Sequence, residues 1–120
     1  MRRNDLIVLF FGVAALAAVG CGSASMNQRQ LADVQGAVRA AEEVGAQRIP
    51  DAALHLKLAR EQIAYAEGLY KDDEPKRGSR MLDRAEVDAE LALSLAKAED
   101  VREEAREAKE QVDELRRKGL

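Results

Sequence analysis

From Lys76 to Lys118 the chain contains no proline and, after Gly78, no glycine, and it is built mainly from Ala, Glu, Lys, Arg and Leu. These residues lose little side-chain freedom in a helix, and nothing in the stretch interrupts the backbone hydrogen-bond ladder. The spacing predicts one continuous helix over this span, about 60 Å long at 1.5 Å per residue. Leu82, Ala85, Ala89, Ala92 and Ala96 form one stripe along it, and Val101, Ala105, Ala108, Val112 and Leu115 form another. Both recur at alternating spacings of three and four, the mark of a helix face.

Two shorter helical segments precede it. In the first, from about Asn27 to Val44, Leu31, Val34, Val38 and Ala41 lie on one face, and Gly45 suits its end. In the second, Ala52, Leu56, Ala59, Ile63, Ala66 and Tyr70 form a stripe widened by Leu58, Leu69 and Tyr65. Pro50 heads it, where a missing N–H costs nothing, and Asp51 places negative charge in its first turn. Lys71-Asp72-Asp73-Glu74-Pro75 is polar, and proline disfavours the helical conformation at Glu74, so the chain bends there. The expected fold is all-α: an antiparallel helical hairpin with a long C-terminal helix, plus a kinked or separate N-terminal helix.

The second helix would be only about 30 Å long, half the length of the third. The second half of the long helix therefore needs another partner. Either the first helix runs nearly in line with the second, kinked at Gly45 to Pro50, and covers that half, or the half projects and pairs with a different chain. The matching stripe from Leu31 to Ala41 favours the in-line arrangement. Either interface is rich in alanine, which lets helices approach closely but buries little apolar area, so modest stability is expected.

The N-terminus has a different character. Met1-Arg2-Arg3 is positive, Leu6 to Val19 is almost wholly apolar, and Gly20-Cys21 follows at once. That order describes a secretory signal peptide. The apolar run, about 14 residues, is shorter than the roughly 20 that span a bilayer as a helix. Asn4-Asp5 directly after the arginine pair departs from a twin-arginine export signal. Ala18-Val19-Gly20-Cys21 resembles the bacterial lipobox, with Ala18 in place of the usual leucine. The resemblance implies cleavage before Cys21, a diacylglycerol thioether on its sulfur and an acyl chain on its new amino group. Two or three chains anchor a protein durably. The expected organisation is a signal peptide over 1–20, a lipidated tether over 21–26 and a helical domain over 27–120. Gly22 follows the cysteine where aspartate would favour inner-membrane retention in enterobacteria, which points to the outer membrane, facing the periplasm.

Cys21 is the only cysteine, so no internal disulfide can form. The net charge of the chain is −3 and its aromatic content 3%. Such a chain lacks the basic groove and stacking platforms of nucleic-acid binders, and no nucleic-acid partner is expected. His55 is the only histidine, with no second His or Cys left to complete a transition-metal site. Ser23, Ser25, Ser79 and Ser94 have no evident base partner. The carboxylate clusters Glu42-Glu43, Asp72 to Glu74 and Glu103-Glu104 read as solvated charge, and no Gly-rich phosphate loop or EF-hand spacing is present. No catalytic, cofactor or metal residue is expected. Along the tail, Arg106 and Glu110, Asp113 and Arg117, and Glu114 and Lys118 sit four apart and are expected to pair.

The body also resembles a family of small bacterial envelope proteins, domain-of-unknown-function family 4398. The resemblance rests on Gly45-Ala46 with Pro50, then Leu54, Ala59, Ile63 and Ala66, a turn, and Arg84-Ala85-Glu86-Val87-Asp88-Ala89-Glu90-Leu91-Ala92, across roughly Val38 to Ala98. It implies a lipoprotein or exported protein and carries no biochemical activity. The function expected is a membrane-anchored, non-catalytic structural or adaptor domain in the cell envelope. Its contact residues for an envelope protein partner, or for a homo-oligomer, would be Val101, Ala105, Ala108, Val112 and Leu115. The alternative is a chaperone-like module or a carrier that shelters an apolar ligand between its helices.

Overall fold

The computed structural model describes residues 25–119. They form α1 (Gln28–Glu43), a 3-10 turn (Ala46–Arg48), α2 (Pro50–Lys71) and α3 (Pro75–Arg117), and no strand occurs among the described residues. The expected signal peptide, the lipobox-like segment and Cys21 lie outside them.

Each boundary has a local cause. Asn27 starts α1 by accepting from the backbone N–H groups of Arg29 and Gln30, at 3.1 and 3.3 Å, two of the donors that a helix start leaves free. Gly45 ends it in the left-handed conformation, φ 80°, with its N–H donating to the Glu42 carbonyl at 2.9 Å. Ile49 is extended, as a residue before proline must be, and Pro50 opens α2. At the other end of α2, the Glu74 N–H donates to the Leu69 carbonyl at 2.8 Å and the Asp73 N–H to Tyr70 at 3.3 Å. This is a Schellman closure with Asp73 at the left-handed position, φ 58°; aspartate tolerates that region better than most residues. Arg77 braces the turn by bonding Glu74, and that carboxylate, with Tyr65 as a lesser influence, holds the exposed guanidinium's pKa above its ordinary value.

α2 and α3 form the expected antiparallel hairpin. Ala52, Leu56, Ala59, Ala66 and Leu69 of α2 are buried against Leu82, Ala85, Ala89, Ala92 and Ala96 of α3. Gly78 admits the Tyr70 ring near the turn; a Cβ at that position would stand 2.6 Å from a ring carbon.

The position of α1 corrects the in-line expectation. The segment from Gly45 to Pro50 reverses the chain instead of kinking it, and α1 returns alongside α2 to the N-terminal half of α3. The Gln30 amide nitrogen donates to the Ser79 carbonyl at 3.1 Å and to an Asp83 carboxylate oxygen at 2.6 Å, while the Ser79 hydroxyl donates back to the Gln30 amide oxygen at 3.0 Å. Val34 is buried in one cluster with Ala66, Leu82 and Ala85. Val38, Ala41 and Ala46 join Ala52, Leu56, Ala59, Ala89, Ala92 and Ala96 in the other. The preference has a simple origin. The alanines of α3 leave a shallow groove that the valines of α1 can fill, and burying each such side chain is worth about 1.5–3 kcal/mol. Continued at the same spacing beyond Ala96, that face presents Glu99, Glu103, Arg106, Glu110, Asp113 and Arg117. Valines laid on those charges would strip them of water without supplying partners.

Candidate functional site

The three-helix packing ends near Glu99, and α3 does not. Residues 101–119 are all exposed, so about 25 Å of helix, from Val101 to Arg117, runs on alone. All five residues expected to make a protein contact lie here. Val101 is 64% exposed, Val112 46% and Leu115 49%, and Ala105 and Ala108 are exposed between them. On a solitary helix their alternating spacing places them in one line.

The line does not begin at Val101. Read toward the N-terminus at the same spacing, it passes through Ala98, Ser94, Leu91 and Val87. Val87 is 64% exposed and Leu91 39%, Ser94 is exposed and Ala98 half-buried. α3 therefore carries two seams of the same period. One, through Gly78, Leu82, Ala85, Ala89, Ala92 and Ala96, is closed by α1 and α2. The other, two residues further along at every step, lies on the opposite side of the helix and has nothing against it among the described residues, because two residues turn an α-helix by about 200°. The extension back to Val87 was open to the eye in the sequence, but only the burial of the first seam separates it from the core.

The charged flanks pair differently from the expectation. Lys118 does reach Glu114. Arg106 instead approaches Glu99 at 3.4 Å, sharing that carboxylate with Arg102 at 3.2 Å. Arg117 donates to the backbone carbonyl of Asp113 at 3.3 Å, and Arg116 takes the carboxylate at 3.9 Å. Such exposed pairs contribute a few tenths of a kcal/mol each.

A second polar cluster ties α2 to α3. His55 Nδ1 lies 2.8 Å from one Asp88 oxygen, and since a carboxylate can only accept, the ring donates. The Gln62 amide nitrogen donates to the other Asp88 oxygen at 2.7 Å. His55 and Gln62 are two turns apart on α2, so one carboxylate grips that helix at two points and sets its register. The Gln62 amide oxygen is buried without a partner among the described residues; turning the amide over would face that oxygen toward the carboxylate. Nothing in the sequence marks this bridge, because His55 and Asp88 stand 33 positions apart. Two of the serine hydroxyls are occupied elsewhere: Ser79 donates to Gln30, and Ser94 to the Glu90 carbonyl at 2.9 Å.

Among the described residues no three His, Cys, Asp or Glu side chains converge as metal ligands would, and no helix is long and apolar enough to cross a membrane. Comparison with protein-family models, with curated proteins and with solved structures yields no match.

Proposed function

We propose that this protein is a bacterial lipoprotein of the cell envelope, anchored through lipid on Cys21, whose helical domain is a non-catalytic structural or adaptor module. The sequence carries this reading: a charged start, a short apolar run and Ala18-Val19-Gly20-Cys21. Kinship with domain-of-unknown-function family 4398 and residence at the outer membrane, facing the periplasm, belong to the same proposal. The fold suits the role in one respect. The start of α1 lies beside Ser79, near the turn between α2 and α3, while the exposed end of α3 points away from it. A module tethered at its N-terminus thus offers its apolar stripe at the far end, where another protein can reach it.

The carrier alternative has less support. Ala41, Ala59, Ala89, Ala92 and Ala96 are completely buried where the helices meet, so an apolar guest would have to separate closely approached backbones.

The test is the intact mass of the membrane-extracted protein beside a Cys21→Ser variant. The expected result is loss of residues 1–20 and added acyl mass in the wild type, both absent from the variant. An unmodified leader in both would sink the lipoprotein reading.

A further inference from the structure

We propose that the free seam of α3, from Val87 to Leu115, is the dimerisation face of the protein, and that its occupant is the same seam of a second copy running parallel to it. The proposal deepens the structural reading above and takes from it the expectation that copies stand on one membrane.

The first support is the period. Val87, Leu91, Ser94, Ala98, Val101, Ala105, Ala108, Val112 and Leu115 alternate four and three without a break, giving four heptads. A strict 3.5-residue repeat drifts around a straight helix and is straightened only by supercoiling against a partner of the same period. A surface helix packed on an irregular partner has no need of such regularity. In heptad terms Leu91, Ala98, Ala105 and Val112 occupy the a positions, and Val87, Ser94, Val101, Ala108 and Leu115 the d positions. The last pair, a β-branched residue at a with leucine at d, is the combination that favours two parallel strands. The alanines permit a close approach of the two helices.

The second support is charge. Arg102, Lys109 and Arg116 line one flank of the exposed part of the seam, and Glu104, Gln111 and Lys118 the other. In a parallel pair each flank meets the opposite flank of its neighbour, which sets Lys109 against Glu104 of the second copy and Arg116 against Gln111, twice over by symmetry. Arg102 meets Lys97, a like-charge contact softened by the Glu99 carboxylate already 3.2 Å from Arg102. Tails paired antiparallel would set the basic flank against itself, Arg102 to Arg116 and Lys109 to Lys109. Sliding an antiparallel partner to cover the whole seam would still oppose Arg102 to Arg102 and Glu104 to Glu104 at the dyad. It would gain Glu90 against Lys118, and Arg116 against Asp88, but His55 and Gln62 already hold that carboxylate.

The third support is room. α1 and α2 both lie on the other side of α3, so two copies can join along the free seam with their remaining helices facing outward. Four of the nine seam positions are alanine or serine, so the association should be weak in solution and promoted by confinement to a surface.

The experiment uses the full chain in its membrane, with single cysteines introduced as Val101→Cys, Val112→Cys and Leu115→Cys, and Glu103→Cys on the opposite side of the helix. Under mild oxidation the seam variants should give a disulfide-linked homodimer, with at least a tenfold excess over Glu103→Cys and over the unsubstituted chain. Sedimentation of the detergent-extracted protein should show a concentration-dependent dimer that Val112→Glu with Leu115→Glu abolishes. Those two residues are exposed in the single chain, so an unchanged thermal melt of the dilute variant would separate lost association from lost folding. A monomer at every concentration with no seam crosslink would overturn the proposal. So would crosslinking of Leu91→Cys to Leu115→Cys in preference to like-numbered pairs, which means antiparallel packing. Capture of a different protein at the seam would overturn it too, while leaving the adaptor reading intact. The mass of Cys21 decides the anchoring independently of all these outcomes.

Discussion

The two halves of α3 share one backbone and one apolar period, yet they are physically unlike. Through Ala96 the helix is pinned along one seam by α1 and α2, and Leu82, Ala85, Ala89 and Ala92 are fully buried. Beyond Asp100 every described residue is exposed, and the helix is held by its own hydrogen bonds, alanine and the charges along its flanks. The difference teaches that a repeat of apolar residues specifies a face but not an occupant. A seam becomes core only where the chain can bring another element against it, and α1, about 24 Å long, is too short and too tightly returned at Gly45 to reach the tail.

The sharpest way to break this comparison is to place a carboxylate at matched positions of the two seams. Ala89→Glu buries a charge with no partner and should cost more than about 3 kcal/mol, enough to unfold much of the protein at ambient temperature. Ala105→Glu should stay within about 0.5 kcal/mol. Urea unfolding followed by circular dichroism, at a concentration low enough to suppress association, measures both. Equal losses would mean that the tail is packed within its own chain.

Truncation to alanine gives a smaller contrast of the same kind. Leu82→Ala removes one of the largest fully buried side chains and should cost about 2–5 kcal/mol, whereas Val112→Ala should be nearly neutral in the single chain. The reversal that keeps α1 off the tail can be tested at Gly45. Gly45→Ala forces a side chain into the left-handed region and should cost about 1–2 kcal/mol by chemical denaturation. A neutral result would mean that the turn adopts another conformation in solution. Smallest of all is the effect expected on bundle stability when the chain is ended after Asp100. Helical signal from the missing residues should disappear while the urea midpoint of the remainder moves by less than the equivalent of about 0.5 kcal/mol. A destabilised remainder would favour the in-line packing that the structure replaces.

The turns and helix limits were legible because their causes are local. Gly45, Pro50 and Pro75 mark backbone conformations that neighbouring residues cannot override, and the stripes of α2 and α3 mark one buried face each. The apolar stripe at Val101 to Leu115 was equally legible as a face, since no competing element shares it; the structure shows that it is exposed. The extension to Val87 and Leu91 was not separated from the core until one seam was seen to be closed, and the bridge from Asp88 to His55 and Gln62 joins helices that only folding brings together.

What the sequence determined by itself is thus the set of helices, their faces and the point where the hairpin turns, because propensity, proline, glycine and spacing act within a few residues of where they stand. Where α1 lies was decided only by tertiary structure. Its stripe matches either half of α3 by period, and the outcome depended on which half offered alanines instead of charges, and on a left-handed glycine that sent the chain backward. The same decision left the far seam of α3 uncovered, since both other helices were spent on one face.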